Sequence, residues 1–271
     1  MADNYLEKKF EEHLNASAQP VKRHKPLRER RAIVTGGAKG IGMAIVRALR
    51  TAGHKVAFCD VDDAAGQETA LRSGADFFHV DVSDANAFRD FIRQVANKWG
   101  GVDIIVNNVA IKQQSPLLDA TVQQFDIAMA TDVRPILIGA QEMARLRTPI
   151  PDPLPYGRIV NICSNRQTLS LPGHDIHAAA KGAVFSLTHS LAISLAPYGI
   201  TVNSISPGMI ATADYDSVPH KYHAQHPSGR VGRPEDVARA VRFLIDDAND
   251  FMNAENIVVD GGLSRKMAFI P

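Results

Sequence analysis

The sequence predicts one α/β domain built on a doubly wound, mainly parallel sheet of about seven strands. Three observations carry that expectation. Short apolar runs alternate with helix-like stretches from Arg31 nearly to the end of the chain. The first alternation, RAIVTGGAKGIGMAIVRALRTAGHKVAFCD over 31–60, has the length of a βαβ crossover and clusters its glycines in one turn. No repeat or low-complexity linker interrupts the pattern in 271 residues, a length that an α/β fold commonly fills as one domain.

Taken in order, Ala32-Ile33-Val34 reads as a buried strand, and from Ile41 the apolar residues Ile41, Ile45, Ala48, Leu49 and Ala52 recur at helical spacing, with Gly53 placed to end the helix. Lys55 to Cys59 is a second strand ending on Asp60. Ala75–Val82 is a third, and Ser83 is placed to cap a helix over 84–98. Val102–Asn108 is a fourth strand, followed by a long helix over about 121–146. Residues 148–157 hold four prolines and form a loop. Arg158–Cys163 is a fifth strand. A helix over about 175–196 follows, with Asp175 as its cap. Ile200–Ile205 is a sixth strand, and a helix at 234–246 and a strand at 256–260 close the chain.

Composition bounds the function. A formal net charge of +1 gives no electrostatic footprint for nucleic acid or a membrane surface, and no apolar run reaches bilayer-spanning length. The charged start MADNYLEKKFEEH does not read as a signal peptide, so a cytoplasmic location is expected. Residues 1–30 form an extension in which Tyr5, Leu6, Phe10 and Leu14 share a helical face ahead of the basic Lys22-Arg23-His24-Lys25. It reads as a surface helix and linker, with a nucleic-acid tail as the sharper alternative.

The glycine turn has a chemical task. Gly36, Gly40 and Gly42 let backbone approach a pyrophosphate, and the free N–H groups of the following helix carry partial positive charge toward it. Asp60, eighteen residues after Gly42, ends the second strand where a carboxylate can bond ribose hydroxyls. This context points to a Rossmann-type dinucleotide site.

Thr35-Gly36-Gly37-Ala38-Lys39-Gly40-Ile41-Gly42 resembles the TGxxxGxG turn of the short-chain dehydrogenase/reductase family. Further motifs occur in the family's order over about 31–262. They are Asp81-Val82, Asn107-Asn108-Val109-Ala110 in place of NNAG, the strand Arg158–Ser164, Pro207-Gly208-Met209-Ile210-Ala211-Thr212 like PGxIxT, and Val259-Asp260-Gly261-Gly262. The resemblance implies that NAD, in preference to NADP, lies against Gly36, Lys39, Gly40, Ile41, Gly42, Asp60, Val61, Asp81, Val82, Asn107, Asn108, Lys181, Pro207, Gly208, Ile210 and Thr212. With the strand order of that family, Cys59 and Cys163 lie about three strands, roughly 14 Å, apart. That is beyond the reach of a disulfide, and both are expected as reduced core thiols.

The same resemblance locates catalysis and exposes two departures. Ser164 stands where a serine polarises the substrate oxygen, and Lys181 stands where a lysine holds ribose. The family's tyrosine, four residues before that lysine and thirteen after the serine, is His177 here. The family's asparagine in the long helix is Asp132. His177 and Lys181 are one helical turn apart on the same face. An imidazole with an ordinary pKa of about 6.5 suits proton transfer near neutrality, but reaches about 2 Å less far than a tyrosine hydroxyl by bond lengths. Asp132 is placed to hold Lys181 or a bridging water.

Two readings stay open. In one, the protein is an NAD-dependent oxidoreductase interconverting a secondary alcohol and a ketone on a small polar substrate through a co-adapted His/Asp/Lys/Ser site. In the other it is a dinucleotide-binding relative with an impaired site and a sensor or structural role. His220, His223 and His226 fall in an irregular stretch where the family carries a substrate lid, about 212–230 here. That reading displaces a metal cluster, since no carboxylates stand at ligand spacing, and no metal is expected. His174 is a candidate substrate contact or a plain surface histidine. Two-sided apolarity in the helices at 121–146 and 175–196 (Ile136, Leu137, Ile138; Val184, Phe185, Leu187, Leu191, Ile193), with the family resemblance, predicts a homotetramer.

Overall fold

The computed structural model describes residues 28–111, 113–149, 151 and 155–267. Most of the expected N-terminal extension lies outside the described residues. The strands are β1 (Arg31–Thr35), β2 (Lys55–Asp60), β3 (Asp76–His79), β4 (Ile104–Asn107), β5 (Gly157–Ile162), β6 (Ile200–Pro207) and β7 (Asn256–Val259). They form one sheet in the order β3-β2-β1-β4-β5-β6-β7. Every pairing is parallel, so the sheet is wholly rather than mainly parallel. The direction of winding reverses between β1 and β4. In open parallel sheets the crevice beyond the carboxyl ends of the strands at such a point is where ligands sit.

Burial follows from the connections. Helical crossovers cover both faces, so the central strands are buried almost throughout, as in β4, where Ile104, Ile105, Val106 and Asn107 are all buried. The edge strands β3 and β7 have no fully buried residue. Side chains of successive strand residues alternate between two cores. Ile33, Ala57, Ile105 and Ile159 face α3 (Ala85–Trp99), α5 (Arg134–Arg145) and α6 (Asp175–Leu195), meeting Phe88, Ile92, Ile136, Met143 and Val184. Ala32, Val34, Phe58, Ile104 and Val106 face α1 (Gly40–Thr51) and α8 (Pro234–Leu244), meeting Ile45, Leu49, Val237 and Val241. Each large side chain so enclosed contributes about 1.5–3 kcal/mol.

The sequence boundaries need four corrections. Asp84, not Ser83, caps α3, its carboxylate accepting from Asn86 N and Ala87 N. A carboxylate one residue later reaches the free amides of the first turn directly. Asp175 is the first residue of α6 rather than its cap. His174 takes the cap position without a side-chain bond. The long helix is not continuous, since α4 (Val122–Ala128) passes through a π-turn at Met129–Val133 into α5. Pro135 is the physical reason, because it has no N–H to offer the carbonyl one turn back. In the lid a short helix, α7 (His220–Gln225), stands where no regular pattern was legible.

Candidate active site

The site gathers at the carboxyl ends of β1, β4, β5 and β6. Beyond β1, Gly36 and Gly40 adopt left-handed φ of 65° and 53°. A Cβ on Gly42 would stand 1.9 Å from the Gly36 carbonyl oxygen, so the turn closes only with glycine there. Thr35 and Asn108 brace it. The Thr35 hydroxyl accepts from Asn108 N (2.9 Å) and Val109 N (3.2 Å), while Asn108 Nδ2 donates to the carbonyls of Thr35 and Gly36 at 3.0 Å each. Thr212 closes the cradle from the lid side, 3.2 Å from where a Cβ of Gly40 would be. Gly208 passes Asp260 with no room for a side chain. Ile210 bridges to Gly232 in parallel.

The cradle fits a dinucleotide. The α2 helix (Asp63–Ser73) and α3 are capped by Asp62 and Asp84, but Lys39 at the head of α1 offers no side-chain cap, leaving the first-turn amides of α1 for an anion. Asp60 accepts from Ala38 N and Asp62 N, both at 3.1 Å, which orients its carboxylate and leaves lone pairs for ribose hydroxyls. Lys39 does not swing free, since its ammonium pairs with Asp62 at 2.5 Å on the surface. Val61 is exposed beside them. Asp81 is exposed and bonds Ser83 N at 2.8 Å, next to the buried Val82. Asn107 lies deeper. Its Nδ2 donates to Asn161 Oδ1 (2.8 Å) while its own Oδ1 is buried without a partner, so it stands behind the cradle rather than in it.

The positions expected to be catalytic converge around Lys181. Its ammonium, 3% exposed, donates to the Ile162 carbonyl at 3.1 Å and lies 3.6 Å from Asp132 Oδ2. The Cys163 thiol returns a bond to the Lys181 carbonyl, clasping the end of β5 to α6. Asp132 sits in the π-turn, almost wholly enclosed. Its Oδ1 accepts from Ile111 N at 2.9 Å, and its Oδ2 has no hydrogen-bond donor, the ammonium lying just beyond that range. Burial pushes this carboxyl up, opposed by the charge of Lys181 and the Ile111 amide.

His177 is one turn before Lys181 on α6, with Nδ1 buried and unpartnered. Burial first, then the Lys181 ammonium, lowers its pKa to about 4, well below the ordinary value expected from the sequence. The Ile111 carbonyl works weakly in the other direction but does not reach hydrogen-bonding geometry with Nδ1. Ile111 therefore faces both altered positions, with its N–H on Asp132 and its carbonyl toward His177, a link no motif disclosed. Ser164 stands two residues past β5, and its Oγ accepts from Arg166 N at 3.1 Å. Arg166 was not placed in the site by the motifs, yet its charge acts on the His177 ring, near which His174, the candidate substrate contact, also lies. The signal for Arg166 lay in register, two residues past the serine.

Of the lid histidines, His223 Nδ1 accepts from Val231 N (3.2 Å), and His226 is buried with Nδ1 2.7 Å from the Tyr222 carbonyl. Among the described residues no group of three or more His, Cys, Asp or Glu side chains comes together. Cys59 and Cys163 are both buried and free, on strands separated by β1 and β4.

Comparison with known proteins agrees with this geometry. A family model described as enoyl-(acyl carrier protein) reductase matches residues 36–264. An uncharacterised oxidoreductase of Thermotoga maritima is 36% identical over 256 residues, covering 88% of this chain and 97% of that one. The sorbitol dehydrogenase of Cereibacter sphaeroides is 32% identical, over 85% of this chain and 96% of its own length. A short-chain dehydrogenase of Burkholderia cenocepacia, solved in complex with NADP, superposes with a TM-score of 0.80 at 30% identity, over 89% of this chain and all of that one. The fold and the glycine cradle are those of the oxidoreductases that use a nicotinamide dinucleotide. The chain belongs to the short-chain dehydrogenase/reductase family.

Proposed function

We propose that the protein oxidises a secondary alcohol to a ketone, and reverses that reaction, on a small polar substrate with NAD as its cofactor. One observation carries the reading. His177 and Lys181 stand one turn apart on α6, and the lysine is held by Asp132 and the Ile162 carbonyl beside the end of β5 that presents Ser164. Gly36, Gly40, Ile41, Gly42 and Asp60 would hold the adenosine and pyrophosphate, with Lys181, Pro207, Gly208, Ile210 and Thr212 around the nicotinamide. The dinucleotide, when bound, accepts or returns the hydride of the substrate carbon.

The protein does the rest. The Ser164 hydroxyl donates to the substrate oxygen and fixes its place. The neutral His177 imidazole takes the hydroxyl proton through Nε2, the ring nitrogen other than the enclosed Nδ1. Lys181 keeps that imidazole unprotonated, and Asp132 balances the lysine. Two acids at 60 and 62, the second already neutralising Lys39, favour NAD over a ribose bearing a 2′-phosphate. The protein acts as a homotetramer in the cytoplasm, without nucleic-acid or membrane partners. Exposed Phe125, Leu137, Phe185 and Ile193 on α4, α5 and α6 support the assembly, and balanced charge and reduced cysteines support the location.

The enclosure of Nδ1 favours a second reading, an impaired relative that binds dinucleotide without turnover. One experiment separates them. Initial rates over a panel of alcohols are measured beside a nucleotide titration, for the wild type and for His177→Ala. The proposed function requires turnover that falls about a hundredfold or more in the variant while NAD affinity holds. Tight NAD binding with no turnover establishes the second reading. Neither binding nor turnover rejects both.

A further inference from the structure

The turn that follows Ser164 carries a cation with no counter-charge. Arg166 is two residues past Ser164, on the single turn Asn165–Gln167. The turn is fixed at both ends. Arg166 N donates to Ser164 Oγ at 3.1 Å, and Gln167 Nε2 donates to Ser206 Oγ at 3.0 Å. The Arg166 backbone is thus locked beside the hydroxyl assigned to the substrate oxygen. The residue is half-buried and, among the described residues, its guanidinium makes no ion pair and no hydrogen bond.

The surrounding charges do not balance it. The Lys181 ammonium and the Arg166 guanidinium both act on the His177 ring with positive charge. The Asp132 carboxylate is already committed to Lys181. Asp175 lines the outer groove with Leu117 and Phe125, on another side of α6. A guanidinium without a counter-charge is open to an anion, and its planar fork suits a carboxylate through two parallel N–H···O bonds.

We propose that the substrate carries a carboxylate close to the reacting carbinol, and that Arg166 binds that carboxylate and sets specificity. The inference rests on the alcohol/ketone reading of the same site and narrows it to hydroxy acids and their keto acids. Ser164 and His177 act at the carbinol, and Arg166 anchors the other end. A hydroxyl at the anchored position brings no opposite charge and no second acceptor oxygen, so an uncharged polyol of equal length binds less well.

The test uses two matched pairs: gluconate against sorbitol, which differ at C1 alone, and 3-hydroxybutyrate against its methyl ester. Each probe is titrated calorimetrically into the NAD-loaded protein, and kcat/KM is measured for those turned over. At least one acid should bind tenfold or more tightly than its uncharged partner, about 1.4 kcal/mol. Arg166→Gln should bring that ratio near unity, Arg166→Lys should restore part of it, and NAD affinity serves as the control for folding in both. If no acid binds better than its partner, or if the ratio survives in Arg166→Gln, the inference is overturned. Charge-selective binding that depends on Arg166, without turnover, upholds the anion site and rejects the oxidoreductase reading. Turnover with no preference for charge does the reverse.

Discussion

The pH profile of alcohol oxidation is the sharpest check on His177. The proton acceptor has to be neutral imidazole, and burial together with Lys181 sets its pKa at about 4. At pH 6 only about one ring in a hundred would then be protonated, so the rate from pH 6 to 8 should be flat. It should fall only below about pH 5, as the imidazole takes up its proton. An unperturbed histidine near 6.5 would instead give roughly a fourfold rise between pH 6 and 8. A phenol titrating near 10 would give about a hundredfold rise over that interval. The assay is the initial rate of NADH formation at saturating alcohol and NAD, in buffers of constant ionic strength from pH 4.5 to 8.5. Single-turnover traces confirm that chemistry and not release is followed. A fourfold or steeper rise across neutrality would refute the account of a desolvated imidazole beside an ammonium.

Three further outcomes follow from the site. Asp132→Asn keeps the bond to Ile111 N but strands the Lys181 ammonium. Denaturant unfolding should show a loss of about 3 kcal/mol, the low end of the range for breaking a buried pair, and unchanged stability would count against the pair. NAD should bind at least tenfold more tightly than NADP by calorimetry, about 1.4 kcal/mol, and Asp60→Asn should erase most of that margin. Equal affinities in the wild type would contradict the role of the acid. Light scattering at micromolar concentration should report four subunits, because Phe185 and Ile193 otherwise leave apolar surface in water, and a monomer would refute the assembly.

Much of this was legible because local chemistry and fold agreed. The period of the apolar residues gave each strand and most of the longer helices to within a few residues, and the glycine spacing fixed the turn that Gly42 cannot leave without striking Gly36. The interruption at Met129–Val133 escaped a reading by period, since apolar spacing continues through a π-turn. Pro135, one turn beyond Thr131, was the available signal. The pKa of His177 was not legible at all. It depends on which groups lie around the ring, and Ile111, Arg166 and His174 come from three separate segments. Asn107 was misplaced for a related reason. Its motif marks the end of β4, but whether a side chain there faces the cradle or the sheet depends on a neighbour, Asn161, on another strand.

The two altered positions make sense together rather than singly. A buried lysine beside an imidazole drives the ring toward its neutral form, which suits proton uptake but weakens its basicity. Left unbalanced, the ammonium would depress the imidazole further and would be costly to bury. Asp132 supplies the opposite charge at 3.6 Å, from a π-turn that opens the helix enough for Ile111 N to reach the same carboxylate. An asparagine at 132 would satisfy Ile111 but not the lysine. A tyrosine at 177 would need the longer reach that the enclosed ring position does not provide. Changing one residue toward the family pattern therefore disturbs the charge balance that the other relies on. On this argument the single variants His177→Tyr and Asp132→Asn should each be worse than the parent, and the double variant should recover part of the loss.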